Sequence, residues 1–380
     1  MNNVHRIFAV CAPGLEPVLL AEVQALGCKG RAAAGGVEVE GTLREVQLLN
    51  LWLRTASRVL VRLGTVKATA FPELVRKASA LPWEQFAGQA AQLRVTCRKS
   101  RLYHSSAVAE RLHAAMEARL GRKIALEKKD EEEEAGPQAS ALGPQEKTTP
   151  QLFVARFDHD ECTVSADSSG PLLHQRGYRG PQAKAPLRET LAAALLLAAG
   201  FKGETPLCDP LCGSGTIAIE AALIAMRRAP GFSRAFAFQK WPGFEVRPFQ
   251  DQLAAARSGE RVPPAQIEAS DQDAGAIAAT RENAARAGVT LQIDQRQLAQ
   301  LPAAQGAGLF ACNPPYGVRV GGDIRAIFRE LGEAARRRPS WSAAAFVADE
   351  RAAQAAGLPW QKLLRTQNGG IPVQLLAARR

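Results

Sequence analysis

"PLCDPLCGSGTIAIEAALIAM", Pro206 to Met226, has the pattern of a short apolar strand, a glycine-rich turn and a helix. Such a turn lets a ligand approach the backbone closely, beside the amino end of a helix. The sequence lacks the nicotinamide pattern G-x-G-x-x-G here, since the turn carries only Gly213 and Gly215, and it lacks the Gly-Lys-Ser/Thr of a P-loop. Asp209, at the first corner of the turn, predicts an acceptor for a ligand that bears an amine.

The chain from about residue 170 onward alternates between helix and strand patterns, which predicts an α/β fold with a parallel, doubly wound sheet. The predicted helices cover residues 186–199, 214–228, 274–287 and 323–337, and the predicted strands cover 206–209, 266–271, 290–294, 308–312 and 343–348. The end of the chain predicts two further strands joined by a turn at Asn368 and Gly369. Ligands of such sheets bind beyond the carboxyl ends of the strands. The residues that follow the strands are therefore the candidate site.

Asp271 follows the next predicted strand, in "IEASDQDAGAIAATRENAARAG". A carboxylate in this position can accept hydrogen bonds from two ribose hydroxyls, or it can cap the following helix. Asp273 is better placed for the cap. Taken with Asp209 and the glycines of the same sheet, Asp271 favours an adenosyl site.

"LFACNPPYGVRVGG", Leu309 to Gly322, ends a later strand of the same sheet. The side-chain oxygen of Asn313 and the carbonyl of Pro314 can accept both hydrogens of an exocyclic amine, and Tyr316 can stack on the base. Chemistry on the amino group of a paired base requires an unpaired or flipped-out nucleotide. The alternative interpretation is a stiff loop, because proline cannot donate to a sheet ladder and restricts the residue before it.

The composition is that of a globular protein with a basic surface. The chain has 380 residues, 46% hydrophobic content and a net charge of +11, which favours a polyanionic partner. Seven cysteines occur without a C-x-x-C pair, so we predict no metal site and a reducing, cytoplasmic location. The longest apolar run, "LAAALLLAAGF" from Leu191, is too short to span a bilayer, and we predict no membrane partner.

The amino-terminal half predicts two smaller α/β modules and a charged loop. Residues 1–58 alternate strand and helix, residues 59–167 repeat the mixture, and residues 127–150 are an acidic stretch followed by Pro, Gly and Ser that predicts a solvated, mobile loop. Within the second module, "CRKSRLYHS" interleaves basic side chains with aromatic ones, a combination that suits RNA. The alternative is an exposed edge with ordinary surface charge. The candidate RNA contacts are Arg98, Lys99, Arg101, Tyr103 and His104, with Arg176 and Arg179 of "RGYRG" as a second group.

Several stretches together resemble a known family. "DPLCGSGT", "SDQDAGAIAATRENAARAG" and "NPPYG" resemble class I S-adenosylmethionine-dependent methyltransferases that modify amino groups of bases. "LLHQRGYRGPQAKAPLRETLAAALL", "RRAPGFSRAFAFQKWPGF" and "RTQNGGIPVQLL" resemble the bacterial ribosomal-RNA guanine-N2 methyltransferases that carry a THUMP domain. "FAVCAPGLEPVLLAEVQALG" and "VTCRKSRLYHSSAVAERL" are similar to that family's ferredoxin-like and THUMP segments. The resemblance covers nearly the whole chain.

The resemblance implies a domain plan and a role for each candidate residue. It implies a ferredoxin-like domain at 1–58, a THUMP RNA-binding domain at 59–167 and a Rossmann-like class I methyltransferase domain at 168–380. The implied S-adenosylmethionine contacts are Lys184, Pro186, Leu187, Glu189, Asp209, Pro210, Cys212, Gly213, Gly215, Thr216 and Asp271. Gln297, or Asp294 if the alignment shifts, would accept from the adenine amino group. Asn313, Pro314, Pro315 and Tyr316 would hold the target amine.

The sequence hypothesis is therefore a guanine-N2 RNA methyltransferase that acts on 23S ribosomal RNA or a ribosome assembly intermediate. A transfer-RNA guanine-N2 methyltransferase has the same architecture and stays an alternative. An adenine-N6 DNA methyltransferase shares "NPPY" but would need a domain that recognises DNA. A noncatalytic RNA-binding assembly factor would not need an intact cofactor turn.

Overall fold

The amino-terminal half forms one eight-stranded sheet with helices packed against it. The computed structural model describes residues 4–127, 149–180, 187–315 and 323–379. The strands are β1 (His5–Val10), β2 (Gly30–Ala33), β3 (Gly36–Gly41), β4 (Arg58–Lys67), β5 (Ala90–Arg98), β6 (Ala125–Leu126), β7 (Gln151–Asp158) and β8 (Glu161–Asp167). The helices are α1 (Glu16–Ala25), α2 (Leu43–Trp52), α3 (Phe71–Ala78) and α4 (Ser105–Leu120). The strand order is β2-β3-β1-β4-β8-β7-β5-β6.

β4 joins the two predicted amino-terminal modules within this sheet. It pairs antiparallel with β1 on one side and with β8 on the other. The predicted boundary at residue 58 therefore falls at the start of a central strand, and the division into two modules stays a prediction. Most of the predicted loop 127–150 lies outside the described residues.

Local sequence signals explain several element boundaries in this half. Thr42 and Glu45 form a capping box at the start of α2, where the Thr42 backbone N–H donates to Glu45 Oε2 at 2.6 Å. The turn between β7 and β8 holds His159 and Asp160 at positive φ, which closes the predicted hairpin. α4 ends at Gly121 with φ +65°, a conformation that favours glycine.

The carboxy-terminal half contains the predicted doubly wound sheet. Its strands are β9 (Leu207–Asp209), β10 (Ile267–Asp271), β11 (Gln292–Gln295), β12 (Gly308–Cys312), β13 (Trp341–Val347), β14 (Gln361–Asn368) and β15 (Ile371–Ala378), in the order β11-β10-β9-β12-β13-β15-β14. Its helices are α5 (Glu189–Ala198), α6 (Thr216–Ala225), α7 (Val246–Ser258), α8 (Ala274–Ala287), α9 (Ile324–Arg337) and α10 (Glu350–Ala353). β9 to β13 are parallel, and β15 is antiparallel to both β13 and β14.

The order of these strands places the candidate site. β9 is flanked by β10 and β12, so the strand order reverses at β9. The carboxyl ends of the three parallel strands lie at one edge of the sheet. They bring Asp209, Asp271 and Asn313 to that edge, as the sequence predicts.

The sequence analysis predicted neither the four-residue α10 nor the longer α7 in this half. α7 covers 13 residues. It has a proline, Pro248, in its first turn, and only Phe249 and Ala256 of its residues are buried. Phe249, Leu253 and Ala256 recur at helical spacing, a signal that the sequence analysis missed.

Candidate active site

The glycine-rich turn is fixed by hydrogen bonds to β10. Cys212 N donates to the carbonyl of Ser270 at 3.0 Å, and Gly213 N donates to Asp271 Oδ2 at 3.0 Å. Gly215 N closes the turn by donating to Cys212 O at 2.8 Å. The turn is thus held against the ends of β9 and β10 before α6 begins at Thr216.

The two glycines serve different purposes. Gly215 has φ +82°, and a Cβ placed there would lie 2.7 Å from Cγ2 of Thr280. Gly213 has φ +53°, and a Cβ placed there would meet no atom within 4 Å. Gly215 is therefore required for packing, whereas Gly213 presents open backbone where a ligand can approach.

Asp209 is a deeply buried carboxyl group at the end of β9. Its side chain is almost inaccessible to solvent, and Oδ1 accepts from Leu211 N at 3.3 Å. Burial raises the pKa of Asp209 well above its ordinary value against the effect of that hydrogen bond, and the charge of Asp271 raises it further. A cationic ligand would stabilise the ionised form, so this group fits a molecule that carries an ammonium and a sulfonium.

Asp271 fixes the turn by hydrogen bonds and still has acceptor lone pairs for a ligand. Its Oδ2 accepts from Gly213 N, and its Oδ1 accepts from Asp273 N at 3.0 Å. Each carboxylate oxygen has a second lone pair, so ribose hydroxyls can still donate to it. Asp273 caps α8 by accepting from Ala276 N at 2.8 Å, which confirms the predicted cap, and the ribose contact of Asp271 stays a prediction.

Asn313 follows β12 and carries an unused acceptor. Its Oδ1 is buried and has no hydrogen-bond partner among the described residues. A buried acceptor without a hydrogen bond costs roughly 1–3 kcal/mol, so this oxygen is available to a donor at the ligand edge of the sheet. Pro314 is buried and Pro315 is partly buried, whereas Tyr316 lies outside the described residues.

Arg179 is attached to the cofactor turn, which corrects its predicted role as an RNA contact. Its Nη2 donates to Leu187 O at 2.7 Å and to Thr216 Oγ1 at 3.1 Å, and it lies 3.4 Å from Glu189 Oε1. The side chain is only 15% exposed. Leu187, Glu189 and Thr216 are thus brought beside the turn as predicted, while Lys184 and Pro186 lie outside the described residues.

The prediction of an RNA contact is wrong for Arg176, because this side chain is 3% exposed and is bound within the protein. Its Nη1 donates to Leu173 O and its Nη2 donates to Arg54 O at 2.6 Å. Its Nε lies 3.6 Å from Oε1 of Glu220, a buried residue of α6. Arg176 therefore joins the loop before β4 to the helix that follows the cofactor turn.

α8 supplies two side chains that the sequence analysis did not identify. Thr280 Oγ1 donates to Gly213 O at 2.8 Å, and Asn283 Nδ2 donates to Ser214 O at 2.9 Å. Both are buried, three positions apart on an alanine-rich helix. Two polar residues at i and i+3 on the buried face of a helix indicate that their side chains form hydrogen bonds with a neighbouring segment.

The predicted adenine contact is still open. Gln297 is exposed, immediately before a short 3₁₀ turn, and its backbone N–H donates to Gln300 Oε1 at 3.2 Å. The alternative, Asp294, forms an ion pair with Arg296 and accepts from Gln292 Nε2 at 3.1 Å. The prediction therefore stays with Gln297, whose side chain is the freer of the two.

The basic and aromatic stretch after β5 is on the surface. The five side chains that the sequence singled out there are all exposed: Arg98, Lys99, Arg101, Tyr103 and His104. The Tyr103 ring is 68% exposed and lies 4.1 Å from the His104 ring, centroid to centroid. The backbone N–H of Arg101 donates to Asp160 Oδ1 at 2.8 Å, and the Arg101 side chain lies 3.9 Å from Asp160 Oδ2 while staying 75% exposed. The stretch has the accessibility that RNA contact requires.

Glu189→Gln is expected to remove a pH-dependent loss of stability. Burial raises the pKa of Glu189 to about 7 from 4.5, although the charge of Arg179 opposes the shift. Between these values the folded chain retains a proton that the unfolded chain has released, so the free energy of unfolding falls as pH rises. Unfolding midpoints at about pH 5 and 7.5 should show the variant gaining stability over the parental chain at the higher pH, by up to about 1.4 kcal/mol per pH unit. An equal difference at both pH values would contradict the raised pKa.

The described residues contain no group of three or more His, Cys, Asp or Glu side chains that could hold a metal ion. Among the helices of the described ranges, none is both long and apolar enough to cross a membrane.

Comparison with known proteins places this site in a family. The profile of an RMKL-like methyltransferase domain matches residues 176–375, and that of an RlmL ferredoxin-like domain matches residues 6–60. "Putative RNA methyltransferase slr0064" of Synechocystis is 32% identical, with 97% of this chain and 95% of the relative covered. "Ribosomal RNA large subunit methyltransferase K/L" of Syntrophotalea carbinolica is 34% identical over 99% of this chain, but the chain spans only 54% of that relative.

Solved structures agree with this assignment. The crystal structure of "SMU.472, a putative methyltransferase complexed with SAH" has a TM-score of 0.85 at 28% identity, with 100% of this chain and 99% of that chain covered. A Listeria monocytogenes protein described as "a predicted N6-adenine-specific DNA methylase" has a TM-score of 0.84 at 32% identity, with 98% and 96% covered. The chain therefore belongs to the family with an RMKL-like methyltransferase domain, and it is a methyltransferase that uses S-adenosylmethionine.

Proposed function

We propose that this protein methylates the exocyclic N2 amine of a guanine in RNA, with 23S ribosomal RNA, free or in an assembly intermediate, as the substrate in the cytoplasm. The observation that carries the proposal is the buried Oδ1 of Asn313, which has no partner among the described residues and lies at the same sheet edge as Asp209 and Asp271. An acceptor in this place fits an amine donor. The names of the K/L relatives support ribosomal RNA as the polymer.

Positioning of the amine is the main chemical task of the site. Bound S-adenosylmethionine supplies an electrophilic methyl group on a sulfonium. Asn313 Oδ1 and the Pro314 carbonyl accept the two amine hydrogens, which directs the nitrogen lone pair at that methyl. In the bound complex the sulfonium would supply the methyl group, Asn313 and Pro314 would hold the amine towards it, and the proton given up by the methylated amine would pass to solvent water. The sulfonium is a very good leaving group, so orientation accounts for most of the rate.

The substrate is identified by mapping modified nucleosides. Ribosomal and transfer RNA from a deletion strain, with and without complementation, should be compared by mass spectrometry. Loss of one N2-methylguanosine from 23S ribosomal RNA is the expected result. Loss from transfer RNA would move the proposal to the alternative substrate, and loss of N6-methyladenine from DNA would replace it.

RNA binding is expected to depend on salt through the exposed stretch after β5. Lys99→Gln and Arg101→Gln should each reduce the slope of log affinity against log salt by about one unit for a lost phosphate contact. Tyr103→Ala should weaken binding by about 1–3 kcal/mol, the range for stacking on one base. Filter binding to the mapped RNA at several salt concentrations measures these effects.

Lys202→Gln is the matched control for this measurement. Lys202 is also exposed, but it precedes β9 and so lies away from the carboxyl edge of the sheet. It should leave the slope unchanged. Equal slopes for all the charge variants and the parental chain would show that the stretch after β5 does not bind RNA.

A further inference from the structure

The methionine end of S-adenosylmethionine carries a carboxylate, and the described surroundings of the turn are rich in acids. Asp209, Asp271 and Glu189 all lie beside the turn. A carboxylate brought among them, partly out of water, is repelled unless a cation is present. A fixed positive group near the turn would offset this repulsion.

Arg179 is a cation that the structure fixes beside the turn. One nitrogen of its guanidinium, Nη2, is tied to Leu187 O and to Thr216 Oγ1, and Thr216 is the first residue of α6 after Gly215. These two bonds hold the group at the amino end of a helix, where anions are favoured. The guanidinium is thus oriented by the same segment that shapes the turn.

The remaining donors of Arg179 make no hydrogen bond to the described residues. Its Nε is buried without a hydrogen-bond partner, and its Nη1 makes no hydrogen bond to the described residues. Glu189, its ion-pair partner, also has a buried oxygen, Oε2, without a partner. Burial raises the pKa of Glu189 to about 7, so near neutral pH this carboxyl group only partly compensates the arginine charge. Arg179 therefore retains both charge and donors for an anionic ligand.

Arg176, in the same short segment, differs from Arg179 in how its guanidinium group is bound. Both of its terminal nitrogens donate to backbone carbonyls, and Glu220 lies against it. The Nε atoms of both arginines lack a partner among the described residues, so the difference between them is that Arg179 keeps one terminal nitrogen, Nη1, without a bond to those residues.

We propose that Arg179 binds the carboxylate of the methionine end of the cofactor through its free guanidinium donors. This inference rests on the cofactor site described above and adds a residue to it. Arginine suits this role because its planar group can bind the backbone of the turn and a carboxylate at the same time.

The test compares two ligands that differ by this carboxylate alone. Isothermal titration of the full chain should be carried out with S-adenosylhomocysteine and with its decarboxylated analogue, S-adenosyl-3-thiopropylamine. Arg179→Gln should weaken S-adenosylhomocysteine by about tenfold to a hundredfold, the range for a charge-assisted hydrogen bond, and should leave the analogue unchanged or bound more tightly. Arg179→Lys, which keeps the charge, should lose less affinity for S-adenosylhomocysteine than Arg179→Gln.

Arg188→Gln is the control for charge alone. Arg188 is an exposed cation at the N-cap of α5, and its removal makes the same change in net charge. It should change either affinity by less than about twofold. Equal losses for both ligands in Arg179→Gln would show that Arg179 only supports the turn, and an equal loss in Arg188→Gln would show a general charge effect; either result overturns the inference. A parental chain that binds neither ligand would instead overturn the cofactor site itself.

Discussion

Asn313→Ala is expected to slow methyl transfer by about 10²–10³-fold while leaving cofactor affinity nearly unchanged. The Asn313 acceptor is buried and has no partner among the described residues, and in the proposed function its donor arrives with the substrate. Losing one positioning hydrogen bond in a dry site costs about 2.7–4 kcal/mol in oxyanion-hole enzymes, which sets the scale used here. Asp209 and Asp271, which belong to the cofactor region, follow other strands and are not touched by this change.

Single-turnover methyl transfer to the mapped RNA, with S-adenosylhomocysteine affinity measured in parallel, checks this prediction. Asn313→Asp keeps an acceptor in place, so its rate of methyl transfer should fall much less than that of the alanine variant. Thr366→Val is the matched control, since Thr366 Oγ1 is another buried, unpartnered atom, on β14 at the far edge of the same sheet. A parental transfer rate in Asn313→Ala would return "NPPY" to the role of a stiff loop.

The carboxy-terminal sheet could be predicted from the sequence because its signals are local. β9, β12 and β13 are short apolar runs that end at polar or proline-containing corners, and α6, α8 and α9 each begin at a turn glycine or a capping aspartate. The predicted strand at 308–312 and helix at 274–287 coincide with β12 and α8. Parallel strands share one carboxyl edge, so the grouping of Asp209, Asp271 and Asn313 followed from chain order alone.

The roles of the arginines could not be predicted, because they depend on partners distant in sequence. "RGYRG" reads as a basic and aromatic stretch, which in isolation resembles an RNA contact. Arg176 is buried because Glu220 of α6 and the carbonyl of Arg54 meet it in the folded chain. Local composition carries no information about such contacts. The roles of Thr280 and Asn283 could not be predicted for the same reason, because their hydrogen-bond partners lie in the glycine-rich turn.

Asp209→Asn should have opposite effects on the cofactor complex and on the free protein. In the free protein, burial and the charge of Asp271 raise the pKa of Asp209, so ionising this group opposes folding. The neutral amide removes that cost, and the unfolding midpoint of the variant should be no lower than that of the parental chain at neutral pH and above. The same change removes a charged acceptor that faces a cationic ligand.

Cofactor affinity in Asp209→Asn should fall about tenfold or more, since a charge-assisted hydrogen bond contributes roughly 1.5–3 kcal/mol. The pH dependence gives a second readout. The parental affinity for S-adenosylmethionine should rise as pH increases through the raised pKa, because the cation favours the ionised carboxylate, and this rise should be smaller in the variant. Asp273→Ala is the control: it removes an acid from the same sheet edge, but one that caps α8, so it should lower stability and spare affinity. If calorimetry on folded Asp209→Asn gave the parental affinity at every pH, Asp209 would be a buried structural carboxyl and the cationic ligand would be held by Asp271 and its neighbours.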